Sequence, residues 1–481
     1  MKRLSELLPR AAVMADAGGL EVPVSGICCD SEQVQPGDVF VAICGTSQDG
    51  HAFIPPARAR GAAAVVGQRA PDGAGPYVQV ADSRAALAHM AAAFYDWPAR
   101  QMKVIGVTGT NGKTTVTHFI RTILEQAGWT VGLIGTNENR IGPRALPAER
   151  TTPDALQLQK LLRQMADAGC QAVVMEVSSH ALALQRVAGI EFDQAVFTNL
   201  TQDHLDFHKT MAEYGAAKAR LFQIARIGIA NLDDNYYDML MRQSACPLIS
   251  YSLEQAAADL SAKQAVYYPS SVQFLALAEG QLARVKVPIP GKFTIYNALA
   301  ALASARELGI DFNQAARALG KVGHVKGRAE IVPVPAPYTV MIDYAHTPDG
   351  MENILTAARG FCRGRLIVLF GCGGDRDRAK RPLMGRVADR LADQCIVTSD
   401  NPRSEAPEQI IREIVAGMGD TRREVIPDRR RAIARALEMA QKDDVVLLLG
   451  KGHETYQQIG QEKVHLDERE EIARFFADEG S

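Results

Sequence analysis

The stretch Lys103-Val-Ile-Gly-Val-Thr-Gly-Thr-Asn-Gly-Lys-Thr-Thr115 constrains this chain more than any other. Val104, Ile105 and Val107 read as a short buried strand, and Val116 to Gln126 read as a helix. Between them Gly109, Thr110, Asn111 and Gly112 form a loop that feeds a helix N-terminus. Glycines let backbone N–H groups close around phosphate oxygens, and the helix start adds partial positive charge. Lys113 is a point charge for the terminal phosphates, and Thr114 or Thr115 offers a hydroxyl to Mg²⁺. Val107 stands where the general phosphate-loop pattern has its first glycine. A glycine-rich turn with a solvated lysine would explain the glycines alone. Strand, loop, lysine, hydroxyl and helix coincide, and together they predict a nucleotide-phosphate site.

Length and composition set the frame around that loop. A chain of 481 residues predicts about three domains. With 47% hydrophobic and 22% charged residues it can bury several cores. A net charge of −2 without a basic block gives no reason to invoke nucleic acid or a membrane surface. Glu6, Pro9 and Asp16 interrupt the first apolar run, so neither a signal peptide nor a transmembrane helix is expected. The cysteines show no CxxC pair, which fits a reducing, cytoplasmic setting. Cys372 lies in a glycine loop with no visible base beside it and is expected to be structural.

Turn and linker signals divide the chain into modules 1–98, 99–330 and 331–481. The first has strand signals at Val24–Cys29 and Asp38–Ile43, helix-then-strand over 57–66 and a helix at Ser83–Phe94. The middle module alternates strands (Val131–Ile134, Ala172–Val177, Gln194–Asn199, Gly228–Asn231) with helices at 153–168 and 212–224. That rhythm predicts a mostly parallel sheet covered by helices. Residues 245–290 read as shorter, irregular strands, followed by helices at Asn297–Leu308 and Phe312–Leu319. The last module repeats the α/β rhythm, with strands at Tyr338–Ile342, Leu366–Phe370, Gln394–Val397 and Val445–Leu449. The expected fold class is therefore α/β in three domains.

Polar clusters follow these strands, where open α/β sheets bind ligands. In the middle module they are Glu176 with Ser178-Ser179-His180, and Thr201-Gln-Asp203-His204 through His208. A carboxylate and imidazoles beside a phosphate loop suggest metal and acyl-group positioning, although Mg²⁺ prefers oxygen to His204. Lys218, by periodicity, is a solvated lysine on an amphipathic helix. In the last module Asp343 to Asp349, Gly371 to Arg378, Ser399 to Arg403 and Gly450 to Glu454 each follow a strand. Ordinary capping loops explain any one of these but not all four. Arg376 and Arg403 suit bidentate recognition of a carboxylate.

These motifs together resemble the Mur ligase family, ATP-dependent amino-acid ligases of peptidoglycan precursor synthesis. The resemblance rests on Thr108 to Thr115, Met175 to His180, Phe197 to Asp206, Asp343 to Asp349 and Gly371 to Asp377, and covers nearly the whole chain. It implies a small N-terminal uridine-binding domain, a central P-loop ATPase-like domain and a C-terminal Rossmann-like domain that takes the amino acid. ATP and Mg²⁺ would be the cofactors, with Asn297, Arg328, Asp343 and His346 joining the phosphate loop at the nucleotide. UDP-MurNAc-L-Ala-D-Glu would meet Cys29, Ser31, Thr46, Ser47 and Gln48 at its uridine, and Thr151, Thr152, Ser178 and Arg186 at its dipeptide. Glu32, Arg150 and Leu184 depart from the family's usual residues. Lys218 matches the lysine that is carbamylated in the family, a change that turns a cation into an oxygen ligand. Thr115, Glu176 and His204 would complete the metal set, and Lys113 and Lys218 would be catalytic.

Asp400-Asn401-Pro402-Arg403 resembles the signature of members that add meso-diaminopimelate, whose distal carboxylate Arg403 can fork onto. Arg376, Gly450 and Glu454 match the rest of that site. The closest rival, the lysine-adding branch, would not need Arg403, and a folate polyglutamate ligase would not need the uridine-type first domain. A nucleotide-dependent regulator without turnover is the reading from another class, opposed by intact Lys113, Glu176, His204 and Lys218. The resemblance further implies small-molecule substrates, no membrane insertion and a monomer.

Overall fold

The computed structural model describes residues 1–45, 48–70, 73, 75–419 and 423–479. Three large sheets organise the chain in turn, of five, eleven and six strands. In the first, Gly26–Cys28, Asp38–Ala42, Ala64–Gly67 and Tyr77–Val80 run parallel, and Val13–Ala17 closes one edge antiparallel. The strand expected over 24–29 is broken. Pro23–Val24 pairs with Lys2–Arg3, while the Ser25 N–H turns aside to the Gly37 carbonyl and Gly26–Cys28 joins the main sheet. Val13–Ala17 and Tyr77–Val80 are additional strands; the former is almost wholly exposed and so carries no alternation to read.

The central sheet places Lys103–Thr108 between Ala172–Glu176 and Phe192–Phe197, all parallel. These strands are apolar on both faces, as parallel strands covered by helices must be. Phe119, Ile120 and Ile123 of the helix Lys113–Gln126 share one core with Leu299 and Leu302 of Lys292–Glu307. Residues 245–290 are more regular than expected. Leu248–Ser252 extends the parallel part, and Leu260–Tyr268, Ser271–Ala278 and Gln281–Val287 form an antiparallel meander at its edge. A register shift between Lys263 and Val266 hides the period of two in the first of these.

The third sheet has the order Glu330–Val332, Thr339–Asp343, Val445–Leu449, Leu366–Phe370, Gln394–Val397, Arg423–Val425, parallel except for its first strand. The last long strand in sequence therefore inserts between two earlier ones. The segments opening at Tyr344, Gly450, Gly371 and Thr398 thus leave the sheet side by side. Among the described residues no helix is long and apolar enough to cross a membrane.

Candidate functional site

The phosphate loop begins later than the general pattern suggests. Val107 is fully buried inside its strand, and the backbone first turns at Gly109. Gly109 has φ +147°, and a Cβ there would fall 1.8 Å from Thr198 Oγ1. Gly112 has φ +86°, and its Cβ would meet Asn297 Oδ1 at 2.6 Å. Neither position accepts a side chain without rebuilding the loop. The helix starts at Lys113 rather than Val116, because Gly112 supplies the left-handed residue before it.

Lys113 Nζ donates to the carbonyls of Gly109 at 2.9 Å and Thr110 at 2.8 Å. Lys218, expected from periodicity to be solvated, is instead buried, and its Nζ donates to the same Gly109 carbonyl at 2.8 Å. It also lies 4.3 Å from the centre of the Tyr214 ring. Burial, and then the Lys113 ammonium, push Lys218 well below its usual value. The two threonines separate in role: Thr114 Oγ1 accepts from Arg328 Nη2 at 2.9 Å, whereas Thr115 faces a cavity of about 300 Å³. Asn111, Gly112, Asn297, Arg328 and Asp343 line the same cavity, together with Tyr296 and Lys292, which the sequence did not single out. Asp343 is oriented by N–H donors from Ala329 at 2.6 Å and Ala345 at 2.7 Å.

A second cluster stands at the next strand end. Glu176 Oε1 accepts from the Thr136 N–H at 2.8 Å and Oε2 from its hydroxyl at 2.9 Å. Thr151 reaches Thr136 at 3.0 Å, Thr152 Oγ1 donates to the Glu176 carbonyl at 2.9 Å, and the Ser178 N–H donates to Thr152 Oγ1 at 3.1 Å. Arg186 Nη1 donates to the Thr152 carbonyl at 2.9 Å. Glu176, Thr151, Thr152, Ser178 and Arg186 are thus one patch. In the first sheet Cys29 and Gln48 are exposed and Ser31 is half-buried; Thr46 and Ser47 lie outside the described residues. Of the departures from the family's usual residues, Glu32 and Arg150 are exposed and Leu184 half-buried.

His204 adopts a left-handed backbone, φ +55°, and its ring packs edge-on against His180 at 4.8 Å. Burial keeps it well below its usual value, against the pull of Asp203. Asp203 is the junction of the two sheets. His204 Nε2 lies 3.4 Å from its carboxylate, His346 Nε2 3.5 Å and Lys380 Nζ 3.1 Å. Burial would raise that carboxyl, but the Lys380 ammonium, with both imidazoles, holds it well below the usual carboxylate range. Lys380 was missed, since nothing local in sequence ties it to a group 177 positions away. Asn111 Nδ2 to Asp349 Oδ2 at 2.8 Å and Gln202 Nε2 to Asp377 Oδ2 at 3.1 Å add to the same contact.

At the third sheet Asn401 Nδ2 donates to Glu454 Oε2 at 2.8 Å, and the buried Lys451 donates to Asn401 Oδ1 at 3.1 Å and Glu454 Oε2 at 2.8 Å. A Cβ on Gly450 would stand 2.6 Å from Asp400 Oδ2, so that strand end too needs glycine. Asp400, Asn401 and Pro402 are buried, and Arg403, with φ +50°, turns its guanidinium onto the Gly374 carbonyl at 2.7 Å. Arg376 is exposed, bonded only to the carbonyl of Asp375 at 2.8 Å among the described residues. Cys372 is buried against Met384, and burial pushes its thiol up to about 12, which makes it inert. Lys451 was not anticipated; its signal was its place between Gly450 and Gly452 at a strand end.

Comparison with known proteins bears on the whole length. Residues 23–95 match the catalytic domain of the Mur ligase family, 107–305 the Mur ligase middle domain and 327–452 the Mur ligase glutamate ligase domain. A UDP-N-acetylmuramoyl-L-alanyl-D-glutamate–2,6-diaminopimelate ligase of Caldanaerobacter subterraneus is 47% identical over 466 residues, spanning 96% of this chain and 96% of that protein. A solved structure of a ligase of that description superposes with a TM-score of 0.71 at 32% identity, covering 100% of this chain and 99% of the other. The MurF ligase of Thermotoga maritima, solved in complex with ADP, shares the fold at 20% identity, with a TM-score of 0.62 and coverage of 95% and 98%.

Proposed function

The chain belongs to the Mur ligase family, and from that premise we infer how its site works as an ATP-dependent ligase joining 2,6-diaminopimelate to UDP-N-acetylmuramoyl-L-alanyl-D-glutamate in peptidoglycan precursor synthesis. The observation that carries the reading is the meeting of the phosphate loop and the third sheet, sealed by Asn111–Asp349, Gln202–Asp377 and Asp203–Lys380. We assign residues 1–98 to the uridine end, 99–330 to ATP and 331–481 to the amino acid, and place the enzyme in the cytoplasm with its substrates.

Gly109 to Thr115, with Asn297, Arg328, Asp343 and His346, hold ATP. Lys113 places a charge on the γ-phosphate; to do so it must leave the Gly109 and Thr110 carbonyls it now caps. Thr151, Thr152, Ser178 and Arg186 present the D-Glu γ-carboxylate. Its oxygen attacks the γ-phosphorus, ADP leaves, and an acyl phosphate results. A neutral amine of meso-diaminopimelate attacks the acyl carbon, the C–O bond to phosphate breaks, and the nitrogen's proton leaves with the departing phosphate. Arg403 forks onto the distal carboxylate, Arg376 assists, and Glu454 with Asn401 meets an ammonium. Contact between the sheets brings amine and acyl group together and excludes water.

The donor set for Mg²⁺ is Thr115, Glu176, His204 and Lys218. It fits only in part as it stands, because an ammonium repels a cation while Glu176 still has free lone pairs beyond those Thr136 uses. The lowered affinity of Lys218 for its proton supports a neutral amine that adds to CO₂, forming an N–C bond and releasing a proton, to leave a carbamate oxygen ligand. When bound, the metal neutralises charge on the transferring phosphoryl group.

Phosphate release with UDP-MurNAc-L-Ala-D-Glu, ATP and Mg²⁺ tests the reading, with meso-diaminopimelate and L-lysine offered separately. Turnover with diaminopimelate is the expected result. Turnover with lysine alone would remove the role given to Arg403, and silence with both would remove the ligase.

A further inference from the structure

Arg381 has no part in the scheme above, yet its side chain is fully buried at the start of the helix Lys380–Leu391. Its two terminal nitrogens fork onto Glu405, at 2.9 Å to Oε2 and 2.7 Å to Oε1. One of them also donates to Glu413 Oε2 at 2.7 Å, the other to the Gly373 carbonyl at 3.2 Å. Glu405 Oε1 accepts in turn from the Asp375 N–H at 2.6 Å, and Ser404 Oγ donates to Asp375 Oδ1 at 2.6 Å. The loop 373–375 is therefore tied at both ends to 404–405. Between the ties sits the Gly374 carbonyl, the seat of the Arg403 guanidinium. The backbones are in contact there, since a Cβ on Gly374 would fall 1.9 Å from the Pro402 carbonyl oxygen.

We propose that Arg381 is a positioning residue for amino-acid selection, fixing where Arg403 meets the distal carboxylate by clamping the loop 373–375 to the segment 400–405. This rests on reading Arg403 as the carboxylate fork. A buried guanidinium among carboxylates adds little net stability over apolar packing, so direction rather than strength is what it contributes here. A planar fork sets the angle between two loops; an ammonium, a point charge, does not. Arg381 touches neither phosphate nor dipeptide residues, so its influence falls on one substrate.

The test uses full-length Arg381→Lys and Glu405→Gln, with KM measured for each of the three substrates and the preference for diaminopimelate over lysine. Both variants are expected to raise KM for diaminopimelate about tenfold, the scale of one charge-assisted hydrogen bond, and to lower the preference similarly. KM for ATP and for the UDP-dipeptide should stay unchanged. Glu405, partly exposed, keeps the test alive if the buried Arg381 variant does not fold. Equal rises in all three KM values, or an unchanged KM for diaminopimelate in Glu405→Gln, would overturn the inference. A wild-type enzyme that ignores diaminopimelate would instead overturn the underlying reading of Arg403.

Discussion

The strand ends of the central sheet and those of the third sheet both gather cations, but they hold them differently. Lys113 and Lys218 lean on one backbone carbonyl, Arg186 on another and Arg328 on a hydroxyl. Lys451 is matched by Glu454, Arg381 by Glu405 and Glu413, and the fully buried Arg429 by Glu468. A carbonyl does not neutralise the cation it holds, although burial lowers the proton affinity of Lys113 and Lys218. On the proposed reading Lys218 serves as a carbamate rather than as a receptor for anions. A cation matched by a carboxylate is neutralised within the fold and can only aim something else. On the proposed reading the central edge receives phosphates and carboxylates, and the third is a frame that points Arg376 and Arg403.

The sharpest way to break that contrast is Lys113→Met. If the carbonyl-held lysine is there for the transferring phosphoryl group, kcat falls roughly 10²–10³-fold, as on loss of one preorganised donor, with KM for diaminopimelate unchanged. A loss confined to that KM would put Lys113 on the wrong side of the comparison. Next comes Lys380→Met, where the two edges touch. Removing one partner of a buried ion pair costs roughly 3 kcal/mol, here toward the low end because Asp203 keeps His204 and His346. Chemical denaturation reads this directly, and a midpoint within error of wild type would mean the contact is incidental. Smaller again is Lys451→Met. It should raise KM for diaminopimelate by about tenfold through the freed Glu454 and Asn401, consistent with one charge-assisted bond, and leave phosphate-loop function alone.

The two edges also differ in how far the sequence shows them. Gly109 through Thr115 is one contiguous run whose glycines, lysine and hydroxyls lie together at one strand end, so its strand-loop-helix setting is readable from the sequence. The same holds for Asp400 to Arg403 as a motif. What supports that motif is not local: Arg381 meets Glu405 across 24 positions, Asn401 meets Glu454 across 53 and Lys380 meets Asp203 across 177. Each is a charged residue on a helix or loop, and periodicity assigns such residues to solvent. Lys218 went unread for that reason until the family resemblance singled it out, since in sequence a buried lysine looks like any other lysine on an amphipathic helix. The meander at 260–287 was obscured by a single register shift, which breaks the alternation that marks a strand.

The smallest effect tests the contrast through acid. His208, at the central edge, is buried with Nε2 2.9 Å from Ser179 Oγ, and among the described residues no carboxylate bonds to it to stabilise its cation. Burial, then His180 and Lys218, push its pKa down to about 4. In the unfolded chain the imidazole titrates near pH ~6.5. Between those values the unfolded chain binds a proton that the folded one refuses, so the contribution is intact above about pH 6.5 and is lost as pH falls toward about 4. The ion pairs of the third edge behave otherwise. Glu413, held down to about 2 chiefly by Arg378 and Arg381 against some burial, begins to lose its contribution only below the ordinary carboxylate range near pH ~4.3. His208→Gln, which keeps a partner for Ser179, should therefore shrink the fall in unfolding free energy between about pH 7 and 5.5 by about 1 kcal/mol. Glu413→Gln should leave that interval untouched. If both variants flattened it equally, or neither did, mild acid would not distinguish the central edge from the carboxylate-matched third edge, and the contrast between the edges would be one of geometry alone.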